Sequence, residues 1–193
     1  MSLFNIITPC SRPENLQQLY RSIVEAEPDF TQLKWVIVHD RFEDFKVPGL
    51  NLPWIEQYHH HGGIVGHDQR NYALDHVIKE GYVYSLDDDT VLHRNFFKVL
   101  NRAIRETNKK GYIFWQELED GTYRKNDHDN TTIWHIDNGQ FLLHRDLIGS
   151  LRYCYAYFAD GIFIEILHKA QPEDFEYIPE CLSYYTRLRW KSV

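Results

Sequence analysis

Three consecutive aspartates, Asp87, Asp88 and Asp89, follow an apolar run at residues 82–86 that is typical of a buried strand. Adjacent carboxylates repel one another, so such a cluster at a strand end is usually stabilised by a cation. Asp87 and Asp89 form a D-x-D pair of hard oxygen ligands, which suit Mg²⁺ or Mn²⁺. The sequence therefore predicts a divalent metal site here, with a solvated acidic turn as the alternative.

Polar residues also follow two other predicted strands. Thr8, Pro9, Cys10 and Ser11 end or follow the apolar run that begins at Leu3, and His39 and Asp40 end the run at residues 33–40. Ligands of an open α/β sheet bind outside the carboxyl ends of its strands. We therefore expect these side chains and the three aspartates to line one crevice.

Strand and helix patterns alternate over the first 115 or so residues, which predicts one α/β domain with a mostly parallel central sheet and helices on both faces. The second part reads as a hairpin or mobile loop at 119–130, a helix at 160–170, and further short strands. The predicted helices of the first part span residues 11–27, 66–81 and 94–111, and the predicted strands of the whole chain span 3–8, 33–40, 54–60, 82–86, 112–118, 131–137, 139–145, 175–179 and 181–188.

Composition excludes several functional classes. The formal net charge of -7 argues against a nucleic-acid binder, which needs a basic face. Three widely spaced cysteines form no zinc signature and no disulfide framework. The sequence shows neither a signal peptide nor a run of about 18 apolar residues, so we expect a cytoplasmic protein without a membrane segment. It gives no prediction of the oligomeric state.

Four ordered motifs support a family resemblance over residues 3 to about 100. They are ITPCSRP from residue 7, WVIVHD from residue 35, DQRNYALD from residue 68 and YVYSLDDDT from residue 82. Together they resemble the nucleotide-diphospho-sugar transferases of the GT-A fold, in particular metal-dependent β-1,3-glucuronyltransferases and small viral and bacterial glycosyltransferases. The resemblance implies a Rossmann-like, GT-A-like sheet, with a nucleotide-sugar and metal half at 1–115 and an acceptor half at 116–193.

The resemblance also implies roles for individual residues. The donor would be a UDP-sugar, with Asp40 accepting from a base N–H and Arg70 meeting the base or the phosphates, unless Arg70 pairs with Asp68 or Asp87. Asp89 would be the principal ligand of Mn²⁺ or Mg²⁺, helped by Asp87. The residues expected to contact the nucleotide-sugar are Thr8, Pro9, Ser11, Arg12, Asp40, His67, Arg70, Asp87 and Asp88.

Inverting sugar transfer needs a carboxylate to take a proton from the acceptor hydroxyl. Asp160, at the start of a predicted helix, resembles the acidic residue that opens the acceptor-side helix of inverting GT-A enzymes, although an N-cap role would also explain it. Asp137, at a predicted turn, is the rival. His135 and His168 are candidates to complete the metal shell.

The predicted function is thus metal-dependent transfer of a sugar to a glycan or another hydroxyl acceptor, with inversion favoured and retention left open because both stereochemical classes use this fold. Two alternatives stay open. A sugar nucleotidyltransferase uses a similar fold, but its usual Gly-rich loop after the first strand is absent from residues 8–16. A nucleotide- or carbohydrate-binding module without catalysis is the other. Aromatic side chains that would stack on sugar faces are Trp134, Tyr153, Tyr155, Tyr157 and Phe158.

Overall fold

A mixed sheet of nine strands organises residues 3–42 and 46–189, which are the residues that the computed structural model describes. Eight strands follow the order β3-β2-β1-β4-β8-β6-β9-β5, and β7 pairs with β6 beside this path. The strands are β1 Phe4–Cys10, β2 Leu33–His39, β3 Ile55–His59, β4 Tyr82–Ser85, β5 Val91–Leu92, β6 Gly111–Glu117, β7 Tyr123–Arg124, β8 Phe141–His144 and β9 Phe175–Tyr184.

The first four strands in this order form the parallel half that the sequence predicts. β1 lies parallel to both β2 and β4, and β2 lies parallel to β3. All seven residues of β1 are buried, as expected for a strand covered on both faces. The carboxyl ends of β1, β2 and β4 therefore lie along one edge of the sheet, where their polar residues meet.

The other half of the sheet is mixed. β8 is antiparallel to both β4 and β6, β9 is parallel to β6, and the short β5 is antiparallel to β9. β7 forms a hairpin with β6, which confirms the hairpin expected within residues 119–130. Strands from the second part of the chain thus lie between β4 and β5, so the two predicted halves share one sheet.

Helices cover both faces of the sheet, as predicted. One core cluster packs Leu19 and Leu100 from two helices against the sheet, and a second cluster packs Leu74 and Phe163 against the opposite face. A π-helical segment, Ala73–Val77, continues the second helix. The helix therefore ends at Val77, before the predicted end at residue 81. The helices are α1 Leu16–Glu25, α2 His67–Tyr72, α3 Phe96–Thr107, α4 Arg145–Ile148 and α5 Ala159–Ala170.

Two local predictions were wrong. Residues 131–137 form turns rather than a strand, and Trp134 in this segment has a left-handed φ of 76°. Residues 175–184 form one strand rather than two, because β9 passes Pro179 with irregular pairing opposite Phe114 and Trp115. Proline is tolerated in a strand at such irregularities.

None of the helices within the described residues combines the length and the apolar character that crossing a bilayer requires.

Candidate active site

A cleft of about 410 Å³ opens at the carboxyl ends of β1, β2 and β4. It is bordered on the far side by the start of α5 and by the turn that follows β9. Eleven of the twelve residues predicted to bind the nucleotide-sugar or the metal, or to act as the base, line it, and the fold brings them together although they are up to about 150 positions apart in the sequence. They are Pro9, Ser11, Arg12, Asp40, His67, Arg70, Asp87, Asp88, Asp89, Asp137 and Asp160.

Thr8, which was predicted to contact the nucleotide-sugar, does not line the cleft. Its side chain is fully buried within the sheet, where its Oγ1 accepts a hydrogen bond from Trp35 Nε1 at 2.9 Å. Successive side chains of a strand point to opposite faces, and this alternation turns Thr8 toward the face that carries Trp35. Thr8 therefore contributes to the position of β1 against β2.

Asp88 ties the loop after β1 to the end of β4. Its Oδ2 accepts from the Ser11 amide at 2.7 Å, the Ser11 hydroxyl at 2.9 Å and the Arg12 amide at 2.7 Å. Its Oδ1 forms an ion pair with the Arg12 guanidinium. Asn15 Nδ2 donates to the Asp88 carbonyl at 2.9 Å. The middle aspartate thus holds the protein's own backbone in place.

Asp87 forms an ion pair with Arg70, which decides the open question about this arginine. Arg70 is almost completely buried, and its Nε donates to Ser85 Oγ at 2.7 Å while its Nη1 donates to the Val65 carbonyl at 2.7 Å. Burial raises the pKa of Asp87, and Arg70 opposes that rise. Arg70 therefore positions Asp87 and the loop that precedes α2.

Asp89 is also buried, and its Oδ2 accepts from Arg12 Nη1 at 3.1 Å. Burial raises the pKa of Asp89, Arg12 lowers it, and the neighbouring carboxylate of Asp88 raises it further. Mutual repulsion of carboxylates in a cleft favours an added cation, as the sequence argument proposed.

The carboxylate oxygens of Asp87 and Asp89 fit one kind of metal site. The ion pairs use Oδ1 of Asp87 and Oδ2 of Asp89, so each carboxylate keeps a second oxygen that can bind a cation. Within residues 3–42 and 46–189, no group of three or more His, Cys, Asp or Glu side chains is arranged to hold a metal ion. One or two carboxylates completed by substrate phosphates is the usual arrangement for Mg²⁺. The two aspartates fit a site that is complete only with a phosphorylated ligand.

His67, at the start of α2, is a buried histidine at the wall of the cleft. It is 2% exposed, and its Nδ1 has no hydrogen-bond partner among the described residues. Its ring stacks parallel to Tyr153 with centroids 5.7 Å apart. Burial lowers the pKa of His67 to about 4, and the nearby Arg70 adds to this effect. A buried polar atom without a partner in a cleft suits a ligand contact.

Asp40, which directly follows β2, is the residue predicted to accept a hydrogen bond from the nucleotide base. Its Oδ1 lies 3.0 Å from His61 Nδ1 and accepts from the Gly62 amide at 3.3 Å. These contacts connect Asp40 to the glycine-containing loop before α2, so a ligand held by Asp40 would also be near this loop.

Asp160 and Asp137 differ in their hydrogen-bond and ion-pair partners. Asp160 is the second residue of α5, and its Oδ1 accepts from the Gly161 amide at 2.8 Å. Burial raises the pKa of Asp160 to about 6, with a further contribution from Asp137. Asp137 instead accepts from the Gly139 amide at 2.8 Å and lies 3.6 Å from Arg124. Asp160 is therefore better suited to accept a proton.

Several residues from the second part of the chain line the cleft although they were not predicted from the sequence. Arg124 lies in the hairpin, with its guanidinium 4.9 Å from the Tyr185 ring centroid, and Arg189 lowers the pKa of Asp89. Both arginines line the cleft. Six aspartates line the same cleft, and the need to offset their charge was the available signal for these cations.

The predicted histidines and aromatic residues divide into two groups. His135 and His168 do not line the cleft, and His168 Nε2 instead forms a 2.9 Å hydrogen bond with the Tyr177 hydroxyl. Tyr153 packs in the core, and Tyr155 lies outside the cleft. The aromatic residues that do line it are Trp134, Tyr157 and Phe158.

Comparison with solved structures identifies similar folds. TarS 1–349 of S. aureus superposes with a TM-score of 0.73 at 16% sequence identity, covering 95% of this chain and 60% of the TarS chain. The same TarS segment in complex with UDP-GlcNAc gives a TM-score of 0.72 at 16% identity, covering 99% and 62%. Its complex with UDP gives 0.70 at 15% identity, covering 94% and 60%.

The sequence itself gives no further match: no protein-family model and no curated protein matches this chain. The chain spans about three fifths of the length of the TarS segment that it resembles. At 16% identity the likeness to TarS concerns the fold. The mixed, curled sheet flanked by helices is the GT-A-type fold of glycosyltransferases.

Proposed function

We propose that the protein is a metal-dependent glycosyltransferase that moves a sugar from UDP to a hydroxyl group of a glycan or related acceptor, with inversion of configuration. One observation carries this proposal. A single cleft combines a D-x-D carboxylate pair at one wall with Asp160, whose pKa is raised toward neutrality, at the other. Such an arrangement separates a donor site from a proton acceptor, as sugar transfer between two substrates requires.

The donor side is the part bordered by β1, β2 and β4. TarS, which shares the fold, has been crystallised with UDP-GlcNAc and with UDP. In this chain, Asp40 would accept from the base, and the neutral imidazole of His67 would contact the sugar diphosphate. Arg12, which is partly exposed beside Asp89, would face the phosphate charge directly.

Asp89 and Asp87 would hold Mn²⁺ or Mg²⁺ through their second carboxylate oxygens. When bound, the cation neutralises negative charge on the departing diphosphate. Asp88 would act on the same site indirectly, because its hydrogen bonds fix the Ser11–Arg12 backbone beside the donor.

The acceptor side is centred on Asp160. Its ionised carboxylate takes the proton of the acceptor hydroxyl while the hydroxyl oxygen forms a bond to the anomeric carbon and the bond to the diphosphate oxygen breaks. Attack from the side opposite the leaving group inverts the configuration. The raised pKa makes Asp160 a stronger base than a solvated aspartate while leaving it largely ionised at neutral pH.

The first test is calorimetric titration with UDP in the presence and absence of Mn²⁺. We expect Mn²⁺ to tighten UDP binding by roughly tenfold or more in the wild type. Asp89→Asn, which keeps the side-chain volume, should lose that gain. Asp146→Asn is the control, because Asp146 is exposed and lies outside the cleft, and it should behave as the wild type.

Other outcomes would contradict specific parts of the proposal. UDP binding that is insensitive to Mn²⁺ and to Asp89→Asn would remove the metal role of the D-x-D pair. Absence of UDP binding would remove the donor site. Formation of a nucleotide sugar from UTP and a sugar 1-phosphate, without transfer from UDP-sugars, would favour the nucleotidyltransferase.

A further inference from the structure

Three aromatic side chains line the acceptor side of the cleft without being needed for the core. Trp134 is 69% exposed and Tyr157 is 76% exposed, although both are large and apolar. The Trp134 and Phe158 rings contact each other, with centroids 4.5 Å apart. Clustered exposed aromatic rings at a cleft usually mark a binding surface. We call Trp134, Tyr157 and Phe158 the aromatic platform.

The backbone holds Trp134 in this exposed position against a conformational cost. Its φ of 76° is left-handed, which costs about 1–3 kcal/mol for a residue of this type and persists only where the surroundings enforce it. On one side of it, the Ile133 amide donates to Glu165 Oε2 at 2.9 Å. On the other, the His135 carbonyl accepts from Asn126 Nδ2 at 3.0 Å.

Close packing against α5 adds a third restraint. A Cβ atom at Gly161 would lie 2.7 Å from Ile133 Cα and 3.4 Å from the Trp134 amide nitrogen, so this turn packs directly on the helix backbone. The restraint fixes the platform relative to the start of α5, which carries Asp160. A strained, solvent-exposed tryptophan beside the candidate base is better explained by ligand binding than by folding.

The charge around the platform limits the ligand. Asp137 and Asp160 line the same part of the cleft, and the positive charge of Arg124 lies 3.6 Å from the Asp137 carboxylate. An anionic acceptor would meet two carboxylates there. The Trp134 and Phe158 planes are inclined at 50°, so each flat ring separately suits the face of a pyranose that carries only C–H bonds, whose hydroxyl groups then point outward.

We propose that the aromatic platform is the acceptor subsite and that it binds the apolar face of an uncharged pyranose glycoside. This inference rests on the proposed function and names its acceptor class. Phe158 and Asp160 both line the cleft, so a sugar stacked on the platform lies in the same cleft as the Asp160 carboxylate that would take its hydroxyl proton. The platform residues position the acceptor, and Asp160 takes its proton.

The test measures acceptor binding without requiring turnover. Saturation-transfer NMR with methyl β-D-galactopyranoside as the probe reports which sugar protons lie against the protein. We expect the strongest transfer at the C–H protons of one ring face. Trp134→Ala and Tyr157→Ala should each weaken binding by roughly tenfold, the scale of one lost aromatic contact.

Tyr155→Ala is the matched control, because Tyr155 is 75% exposed but does not line the cleft. It should bind the glycoside as the wild type does. Thermal unfolding of each variant checks that the fold is retained, and calorimetry with UDP checks the donor site separately. Unchanged UDP binding in Trp134→Ala together with weakened glycoside binding supports the platform.

Three results would overturn the proposal. They are absence of glycoside binding by the wild type, glycoside binding unaffected by both platform substitutions, and preferential Trp134-independent binding of an anionic acyclic probe such as glycerol 3-phosphate. Because UDP binding is measured independently, failure of the donor site and failure of the platform are distinguishable.

Discussion

The chemistry of single residues in the cleft depends on burial. Asp160 has a pKa of about 6 because it is buried, with the nearby Asp137 raising it further, while the Gly161 amide and Arg70 partly oppose the rise. A carboxyl group with this pKa changes from protonated to ionised within the physiological range. Its capacity to accept a proton therefore depends on pH in a way that a solvated aspartate would not show.

Asp160→Asn should reduce sugar transfer by roughly 10²- to 10⁴-fold, because the amide cannot accept the hydroxyl proton. Asn is nearly isosteric and its Oδ1 can still accept from the Gly161 amide, so UDP binding should be unchanged. The measurement is kcat/KM for transfer from UDP-sugars, beside calorimetry with UDP.

The wild-type pH profile provides an independent check on Asp160. The base must be ionised, so kcat/KM should fall as pH decreases through about 6 and level off above it. With Mn²⁺ at saturation, so that protonation of Asp87, whose pKa is also raised, does not limit the rate, Asp160→Asn should have lost this acidic limb. An unchanged acidic limb in the variant, or activity close to that of the wild type, would assign the proton acceptor elsewhere, with Asp137 as the next residue to replace.

The types of the cleft residues were predictable from sequence, but their partners were not. Pro9, Asp40 and Asp87 follow or end buried strands, and that position alone places them at the edge of the sheet. The pairing of Arg70 with Asp87 depends on the distance between α2 and β4, which no spacing in the sequence encodes. Arg189 was missed because it reaches the cleft from a turn whose position depends on the irregular β9.

Turns between elements limit which residues the fold tolerates. Gly81 precedes β4 and has a φ of 80°, and a Cβ atom there would lie 2.6 Å from the carbonyl oxygen of Leu3. Gly121, in the hairpin between β6 and β7, has a φ of 81°, but a Cβ atom there would meet nothing within 4 Å. The two positions share a backbone conformation and differ in the space around it.

Gly81→Ala should therefore destabilise the protein more than Gly121→Ala does. The left-handed backbone costs about 1–2 kcal/mol in either variant, and the clash with the Leu3 backbone adds to the cost at Gly81 alone. Urea unfolding of both variants beside the wild type measures the difference. Equal losses of stability would show that the turn moves away from Leu3 without cost.

Whether a segment forms a strand depends on the pairing available in the sheet as well as on its own sequence pattern. Residues 131–137 were predicted to form a strand, yet β6 already pairs with β8 and β7 on one side and β9 on the other. A further strand has no partner there. The apolar runs of β1, β2 and β4 were correctly predicted because burial on both faces leaves a continuous signal in the sequence.

At the scale of the whole molecule, the sheet order interleaves the two parts of the chain. β8, β6 and β9 lie between β4 and β5, and β5 pairs with β9 through Val91 and Leu92. A fragment of residues 1–115 would leave the edge of β4 without its β8 partner and β5 without β9. Unpaired backbone groups and exposed core faces both disfavour such a fragment.

The fragment of residues 1–115 should therefore lack a cooperative unfolding transition, whereas the chain of residues 1–193 should show one. Circular dichroism during urea unfolding of both proteins measures this difference. A cooperative transition in the fragment would indicate that the parallel half, β3-β2-β1-β4, is an independent folding unit.

The hydrogen bond that anchors Asp89 to a residue far downstream has a consequence for biosynthesis. The Asp89 carbonyl accepts from the Leu188 amide at 2.9 Å, and the Leu182 carbonyl accepts from the His93 amide at 2.9 Å. A nascent chain that has not yet released residues 182–188 from the ribosome lacks both contacts. The Asp89 carboxylate would then reach its final position only after residues 182–188 have emerged, so the part of the proposed donor binding that depends on Asp89 would become available only after β9 has formed.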